Sequence, residues 1–319
     1  MEQYCLTFKP IGVLTHIPDA QTIFGAVCNI LIQTQGHEMF EKYIRSFEEN
    51  PLFIHSSMFP KDYFPMIHQS LFSIDYINHQ LLAQESQNQL VYLRKMKQLK
   101  KIKYVHKNIF DKYILKNQWE SLKEDLLNEI LVVDNGCLKN KKEKSVFQIQ
   151  QYMNTHVQKN LYYFDKDMDN QLYYGVDIYC DKDTYFQIYI KTSLPKREVW
   201  NIFQYAQYFG FGPKHSSGKN SFQLIDIEQI NYSFTNQKVL LSKSLLDNAF
   251  DLEKSHYQIT AKLHQTSQYY LNNTRTGRFH LFNEGSLMKV NENKDYYGKI
   301  LKLKNQDQPI YYYAIGYVL

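Results

Sequence analysis

The sequence predicts an α+β protein in two domains. A strand, a loop and a helix open the chain in that order, short alternating segments fill its second half, and a run of lysines lies between. With 319 residues, 44% of them hydrophobic, the chain is long enough to bury two ordinary cores.

Tyr4 to Phe8 alternates as a half-buried strand does. After a loop from Lys9 to Pro18, Asp19 is placed to cap a helix whose apolar face is Ala20, Ile23, Phe24, Val27, Ile30 and Leu31. Gly25 inside that helix costs stability, which predicts close packing against a neighbour. Strand, loop and helix in this order open a ferredoxin-like domain. From Ser86 to Phe110 the chain carries Arg94, Lys95, Lys97, Lys100, Lys101, Lys103 and Lys107 and no acid. Lys139, Lys141, Lys142 and Lys144 follow Asn135-Gly136 and predict an exposed linker. The expected division is therefore residues 1–142 and residues 143–319.

In the second half, Leu161 to Phe164 and Leu172 to Tyr179 flank a polar turn from Asp165 to Asn170, and Tyr185 to Ile190 alternates again. A helix is expected from about Pro195 to Phe209, with Val199, Ile202, Phe203 and Ala206 buried and Gly210 ending it. A glycine-rich loop leads to the strand Phe222 to Ile227. Further strands are expected at Arg278 to Phe282, Leu287 to Val290, Lys299 to Leu303 and Tyr311 to Val318. Hairpin, helix, loop and strand predict a second ferredoxin-like domain.

Charge is mildly basic, 37 Lys and Arg against 32 Asp and Glu, and suits a polyanionic partner without requiring one. Only Arg45, Arg94, Arg197, Arg275 and Arg278 are arginines, so most cations are point charges fitted to phosphate rather than to bidentate recognition. Cys5, Cys28, Cys137 and Cys180 form no Cys-x-x-Cys pair, which predicts reduced thiols and no metal site. No signal peptide is visible, and the longest apolar run, Ile23 to Ile32, is about half of a bilayer span. A soluble cytoplasmic protein without membrane contact or cofactor is expected.

The loop Gly210-Phe-Gly212-Pro-Lys214-His215-Ser216-Ser217-Gly218-Lys219 is the most informative segment. It is not a P-loop: the glycine spacing is one residue too long, Asn220 replaces the Ser or Thr, and it leads from helix to strand. Its chemistry still suits an RNA backbone, with glycines baring N–H groups, Lys214, His215 and Lys219 adding positive character and Ser216 and Ser217 offering hydroxyls. A long flexible connection is the alternative. Asp165 to Asn170 imitates half of a calcium loop but lacks its glycine and its closing Glu, so a solvated turn is expected. His16 is suited by residue type to general-base chemistry near neutral pH, although a lone loop His is more often a hydrogen-bonding residue. The basic stretch 94–107 suits nucleic acid or, equally, an exposed charged face. Tyr162, Tyr163, Tyr173 and Tyr174 could stack bases, but in a chain with 27 tyrosines core and cross-strand packing is the commoner role of any one of them.

Taken in order, several segments resemble the fourth Csm subunit, a RAMP protein of type III-A CRISPR effector complexes. They are Leu6-Thr-Phe-Lys9, Asp19 to Ala26, Ser56-Ser-Met-Phe-Pro60 with Tyr63-Phe-Pro65, Lys100 to Tyr104, Asn154-Thr-His156, Gly210 to Lys219, Glu284-Gly-Ser286 and Tyr313 to Tyr317. The chain departs from that pattern at Pro213, His215 and Asn220, where the family has a glycine, a basic residue and a nearby glycine. The resemblance implies two ferredoxin-like (RRM-like) domains of RAMP type with inserted hairpins, and no catalytic residue. It implies a subunit that grips the 5′ handle of CRISPR RNA and docks a large polymerase-like subunit and a backbone RAMP subunit. The loop from Gly210 to Lys219, with His16, Asn154 and His156, is then expected on the RNA. A repeat-cleaving RAMP endoribonuclease using a His base is the alternative.

Overall fold

The computed structural model describes residues 1–82, 86–143, 147–158, 171–232, 237–265, 275–303 and 309–319. The chain begins with strand β1 (Glu2–Pro10), helices α1 (Ala20–Gln35) and α2 (His37–Ser46) and short strands β2 (Phe53–His55), β3 (Phe59–Pro60) and β4 (Tyr63–Pro65). Next come α3 (Ile74–Leu82), α4 (Ser86–Leu99), β5 (Tyr104–His106), α5 (Lys107–Ile109), a π-helical turn, α6 (Trp119–Leu127), β6 (Leu131–Asp134) and β7 (Cys137–Asn140). A long hairpin, β8 (Ile149–Gln158) and β9 (Gln171–Cys180), precedes β10 (Phe186–Thr192), α7 (Lys196–Phe203), α8 (Ala206–Phe209) and β11 (Phe222–Gln229). The chain ends in β12 (Gln237–Val239), β13 (Phe250–His256), β14 (Ile259–Gln265), β15 (Arg275–Phe282), β16 (Leu287–Val290), β17 (Tyr296–Leu303) and β18 (Ile310–Tyr317).

The central antiparallel sheet has the order β11-β1-β10-β2. With α1 after β1, and α7 and α8 after β10, this is the βαββαβ arrangement of a ferredoxin-like fold. Leu6 is fully buried between Ile188 on β10 and Ile227 on β11. The helices α1, α7 and α8 pack on each other and bury Ile23, Val27, Val199, Ile202 and Phe203. All six residues expected on the apolar face of α1 are buried, and Asp19 caps it by accepting from the Thr22 N–H at 3.0 Å.

The division expected at residue 142 does not follow this sheet. Strands β1 and β2 come from one side of it and β10 and β11 from the other, so the second half's hairpin–helix–loop–strand order closes the sheet that β1 opens. Residues between β3 and β10 form an insertion: the sheet β4-β5-β7-β6 with its helices, and the β8–β9 hairpin. The lysines near residue 140 mark no boundary. Lys139 is buried on β7 and paired with Asp134 at 2.9 Å, while Lys141 and Lys142 are exposed on the following turn. Charge marks where chain meets water, whereas pairing between distant strands decides the unit.

The expected helix from Pro195 breaks near Tyr205 into α7 and α8. The expected strand Leu161–Phe164 and the turn Asp165–Asn170 lie outside the described residues, and β9 pairs with β8 over its whole length. Gly25 does not meet a close neighbour: it is exposed, with nothing within 4 Å of the position a Cβ would take. The four cysteines are free, and burial pushes the Cys5, Cys137 and Cys180 thiols up to about 12. Among the described residues no helix is long and apolar enough to cross a membrane.

The C-terminal strands form the sheets β12-β16-β13, β14-β15 and β17-β18, which lie against the first unit. The Tyr313 hydroxyl bonds both the N–H and the C=O of His55 at 3.0 Å, and its ring stacks on the imidazole. Ser57 donates to Glu284 at 2.7 Å and accepts from the Ala20 N–H at 3.0 Å. The Ser56-Ser57 and Glu284-Gly285-Ser286 segments are therefore parts of one junction.

Candidate nucleic-acid interface

The glycine-rich loop starts where α8 stops. Gly210 has φ 65, and a Cβ there would lie 2.8 Å from the Asn220 carbonyl oxygen, so both its conformation and the space around it exclude a side chain. Asn220 closes the loop. It is fully buried, holds φ 58, and its backbone accepts from the Phe211 N–H at 2.8 Å and donates to the Val13 carbonyl at 3.0 Å. Its Oδ1 accepts from the Thr15 N–H at 2.8 Å, and its Nδ2 donates to Pro213 O at 2.6 Å and Thr15 Oγ1 at 2.9 Å. Asn is among the few non-glycine residues that tolerate this left-handed conformation, so it meets the backbone demand and adds a buried pin.

Asn220 joins the glycine-rich loop to the loop between β1 and α1. The two backbones touch again at Gly12, where a Cβ would fall 2.4 Å from Gly218 O. The β1–α1 loop also pairs with the hairpin: the Leu14 N–H donates to Ile178 O at 3.0 Å and the Ile178 N–H returns to Leu14 O at 2.7 Å. A second tie runs from the glycine-rich loop to the hairpin. Lys219 Nζ sits 2.6 and 2.7 Å from the two carboxylate oxygens of buried Asp177, and Asn154 donates to the same carboxylate at 2.8 Å. The Lys219 ammonium holds the Asp177 carboxyl below its ordinary range against the opposing effect of burial, with Asn154 assisting.

Three segments far apart in sequence thus meet on one face: residues 11–16, the base of the β8–β9 hairpin, and the loop 210–219. The structure brings together the expected residues His16, Asn154, Gly210, Gly212 and Lys219. His156 lies on the same face of β8 as Asn154, opposite Tyr173, with its ring against Gly175. Lys214, His215, Ser216, Ser217 and Gly218 form the exposed tip. Ser217 donates its hydroxyl to Lys214 O at 2.8 Å. Lys219 differs from the expectation, because its charge is already engaged by Asp177.

His16 is half-buried, with Nδ1 2.9 Å from Thr15 Oγ1. Burial lowers its pKa, Asp19 opposes that, and Lys262 and Lys243 reinforce it, so the ring is neutral at pH 7. Asp19 itself is held well below the carboxylate range: burial would raise it, but Lys262 at 2.8 Å and Lys243 at 3.3 Å outweigh that. These contacts orient the β1–α1 loop and, among the described residues, place no second acid or base in hydrogen-bond contact with His16.

The basic stretch runs along α4 and the turn into β5. Arg94, Lys97, Lys100, Lys101 and Lys103 are exposed, whereas Lys95 donates to Leu127 O at 3.1 Å and pairs with Glu129 at 3.2 Å. Tyr174 is exposed; Tyr162, Tyr163 and the calcium-like turn lie outside the described residues. Sequence reasoning missed Gly12, Thr15 and Asp177 and noted Asn220 only as a departure. Gly12 in a loop leaving a strand was a visible signal. The partners of Thr15 and Asp177 lie 205 and 42 residues away in sequence and left none.

No protein-family model and no curated protein sequence matches the chain. Solved structures do. The crystal structure of the Csm3-Csm4 subcomplex in the type III-A CRISPR-Cas interference complex contains a chain matched at TM-score 0.65 and 16% identity, over 100% of this chain and 98% of that one. A chain of the Csm1-Csm4 cassette in complex with pppApA is matched at TM-score 0.52 and 17% identity, over 100% and 97%. The same cassette in complex with cA4 is matched at TM-score 0.52 and 18% identity, over 99% and 97%. The likeness extends over the full chain and establishes a shared α+β, ferredoxin-like architecture, as the sequence predicted.

Proposed function

We propose that the chain is a non-catalytic RNA-binding subunit of a type III-A CRISPR effector complex, related to the fourth Csm subunit and gripping the 5′ handle of the guide. Its partners in this reading are a large polymerase-like subunit and a backbone RAMP subunit, by analogy with the Csm1-Csm4 and Csm3-Csm4 assemblies that share its fold. The observation that carries the reading is the convergence of residues 11–16, the hairpin base and the glycine-rich loop, held by Asn220 and by the Lys219–Asp177 pair.

Such a surface suits a ribose-phosphate backbone. Its tip offers Lys214, His215 and Ser216 on an exposed loop, while buried hydrogen bonds fix its root, so little ordering remains to be done on binding. Lys219 and Asn220 act as positioning residues, and the phosphate contacts fall to the tip. His16 supports loop geometry rather than chemistry.

The test is binding and cleavage of labelled repeat RNA by the purified chain and by the reconstituted complex. Lys214→Ala with His215→Ala should weaken binding and flatten its salt dependence by about 0.7 in the log–log slope for each phosphate no longer neutralised. A metal-independent cut abolished by His16→Ala would sink the non-catalytic reading.

A further inference from the structure

Strands β8 and β9 pair with each other over ten residues and form a two-stranded sheet of their own. Among the described residues only Leu14, opposite Ile178, joins them, and it does so at the base. Side chains alternate between the two faces of the hairpin. One face carries Tyr152, Asn154 and Asp177, whose carboxylate pairs with Lys219. The reverse face carries Met153 opposite Val176 and Thr155 opposite Tyr174, with Leu172 beyond them. Met153, Leu172, Tyr174 and Val176 are 71%, 63%, 69% and 46% exposed, so the described residues leave this apolar face uncovered.

Charge, edges and size together say what fits it. The two strands contain no Lys, Arg or Pro, and their one carboxylate, Asp177, is already paired. A ribose-phosphate strand therefore finds no cation there. The outer edges also lack the lysines and prolines that guard a strand edge kept in water. A two-stranded hairpin is marginal by itself, and one of this length with an apolar face calls for a covering surface.

Size decides against a second copy of the chain. Four such side chains make a patch on the order of 300–600 Å², the scale at which apolar surface marks an interaction site. A stable two-chain interface needs about 800 Å² from each partner. The patch therefore holds a protein that a second contact already keeps close, because such a tether raises the local concentration. An RNA strand shared by both proteins supplies that contact, since the hairpin base is tied to the glycine-rich loop.

We propose that the reverse face of the β8–β9 hairpin docks an uncharged, apolar surface of a neighbouring protein subunit bound to the same RNA strand. In the functional reading above, on which this rests, that neighbour is the backbone RAMP subunit. The hairpin then divides two tasks between its faces. The side of Asn154 and Asp177 is fixed to the RNA-facing loops, and the side of Met153 and Tyr174 meets protein.

The test is made on the complex reconstituted from this chain, the backbone RAMP subunit, the large subunit and guide RNA. With p-benzoylphenylalanine in place of Tyr174, irradiation should join the chain to the backbone subunit. The same group in place of Tyr152, on the opposite face, should not. Met153→Thr with Tyr174→Thr keeps good strand formers while removing apolar contact. It should weaken capture of the backbone subunit by about tenfold or more, with RNA binding and circular dichroism as in the parent chain. Should that variant lose its hairpin, the crosslink from position 174 still decides.

A crosslink from position 174 to RNA, to the large subunit or to a second copy of the chain overturns the proposal, as does none at all. So does a double variant that captures the backbone subunit like the parent. Lys214→Ala with His215→Ala losing RNA while position 174 joins nothing in the parent complex defeats the docking face alone. RNA binding that ignores the glycine-rich loop while position 174 still joins the backbone subunit defeats the handle-gripping reading alone. A chain that assembles with neither subunit overturns both.

Discussion

Asn220 concentrates the problem the glycine-rich loop has to solve. A left-handed conformation, hydrogen bonds from both backbone groups and hydrogen bonds from the side-chain amide coincide in one position. Asn220→Ala should cost about 2–3 kcal/mol in a urea titration, since it strains φ and strands Thr15 N and Pro213 O. Asn220→Gly keeps the conformation and loses only the bonds, so it should fall between the variant and the parent chain. Lys219 presents the opposite case. Its role in sequence looked like phosphate binding, but its ammonium is spent on Asp177. Lys219→Met leaves a buried carboxylate unpaired and should destabilise by about 3–5 kcal/mol, with much of that recovered in the double variant Lys219→Met, Asp177→Leu. Because the Asp177 pKa is lowered in the fold, the pair's contribution holds at neutral pH and fades as acid carries the solution below about pH 4. Amide-exchange protection factors at the hairpin base, taken relative to the intrinsic rate at each pH, should fall over that acidic window and hold steady above it.

At the level of elements, α1 was the most readable part of the chain. Its cap and its apolar face depend on neighbours three and four residues away, and each of them stands where the periodicity put it. Gly25 is the exception. Its position on the outer face is consistent with the same periodicity, yet a glycine there invites the idea of a close neighbour that the structure does not supply. Gly25→Ala should therefore stabilise the protein by about 1 kcal/mol in thermal or denaturant melts. The hairpin was half readable: β9 alternates, but its partner β8 and the tie of Leu14 to Ile178 involve a segment more than a hundred residues upstream. Nothing in the local pattern of Ile149 to Gln158 says which strand it joins.

On the scale of the whole molecule, the junction around His55 and Gly285 couples the ferredoxin-like unit to the C-terminal sheets. His55 is fully buried under Tyr313, and burial holds its pKa near 4 against an ordinary 6.5. The unfolded chain takes up that proton near 6.5 and the folded chain only near 4, so stability present at neutral pH drains away as pH falls through this interval. His16 and His68 act in the same direction. Urea midpoints measured from pH 7.5 to 4.5 should fall steadily, and a His55→Gln chain should show a slope shallower by up to about 1.4 kcal/mol per pH unit. Gly285 holds φ 85 with Met66 O 2.1 Å from where a Cβ would sit. Gly285→Ala should lower the melting temperature and open the junction to limited proteolysis.

By itself the sequence determined what depends on near neighbours: the α+β class, the helix cap and apolar stripe of α1, the strands β11, β15, β16, β17 and β18 though not β12, β13 and β14 among them, and the glycine-rich loop as an exposed, basic turn of chain. Tertiary structure alone decided the rest, namely that β1 lies between β10 and β11, that the lysines near residue 140 divide nothing, and that Lys219 faces a carboxylate. The reason is the reach of the forces involved. Capping and periodicity act over a few residues, whereas strand pairing and the pairing of a buried charge are settled by which distant segments the hydrophobic core brings together.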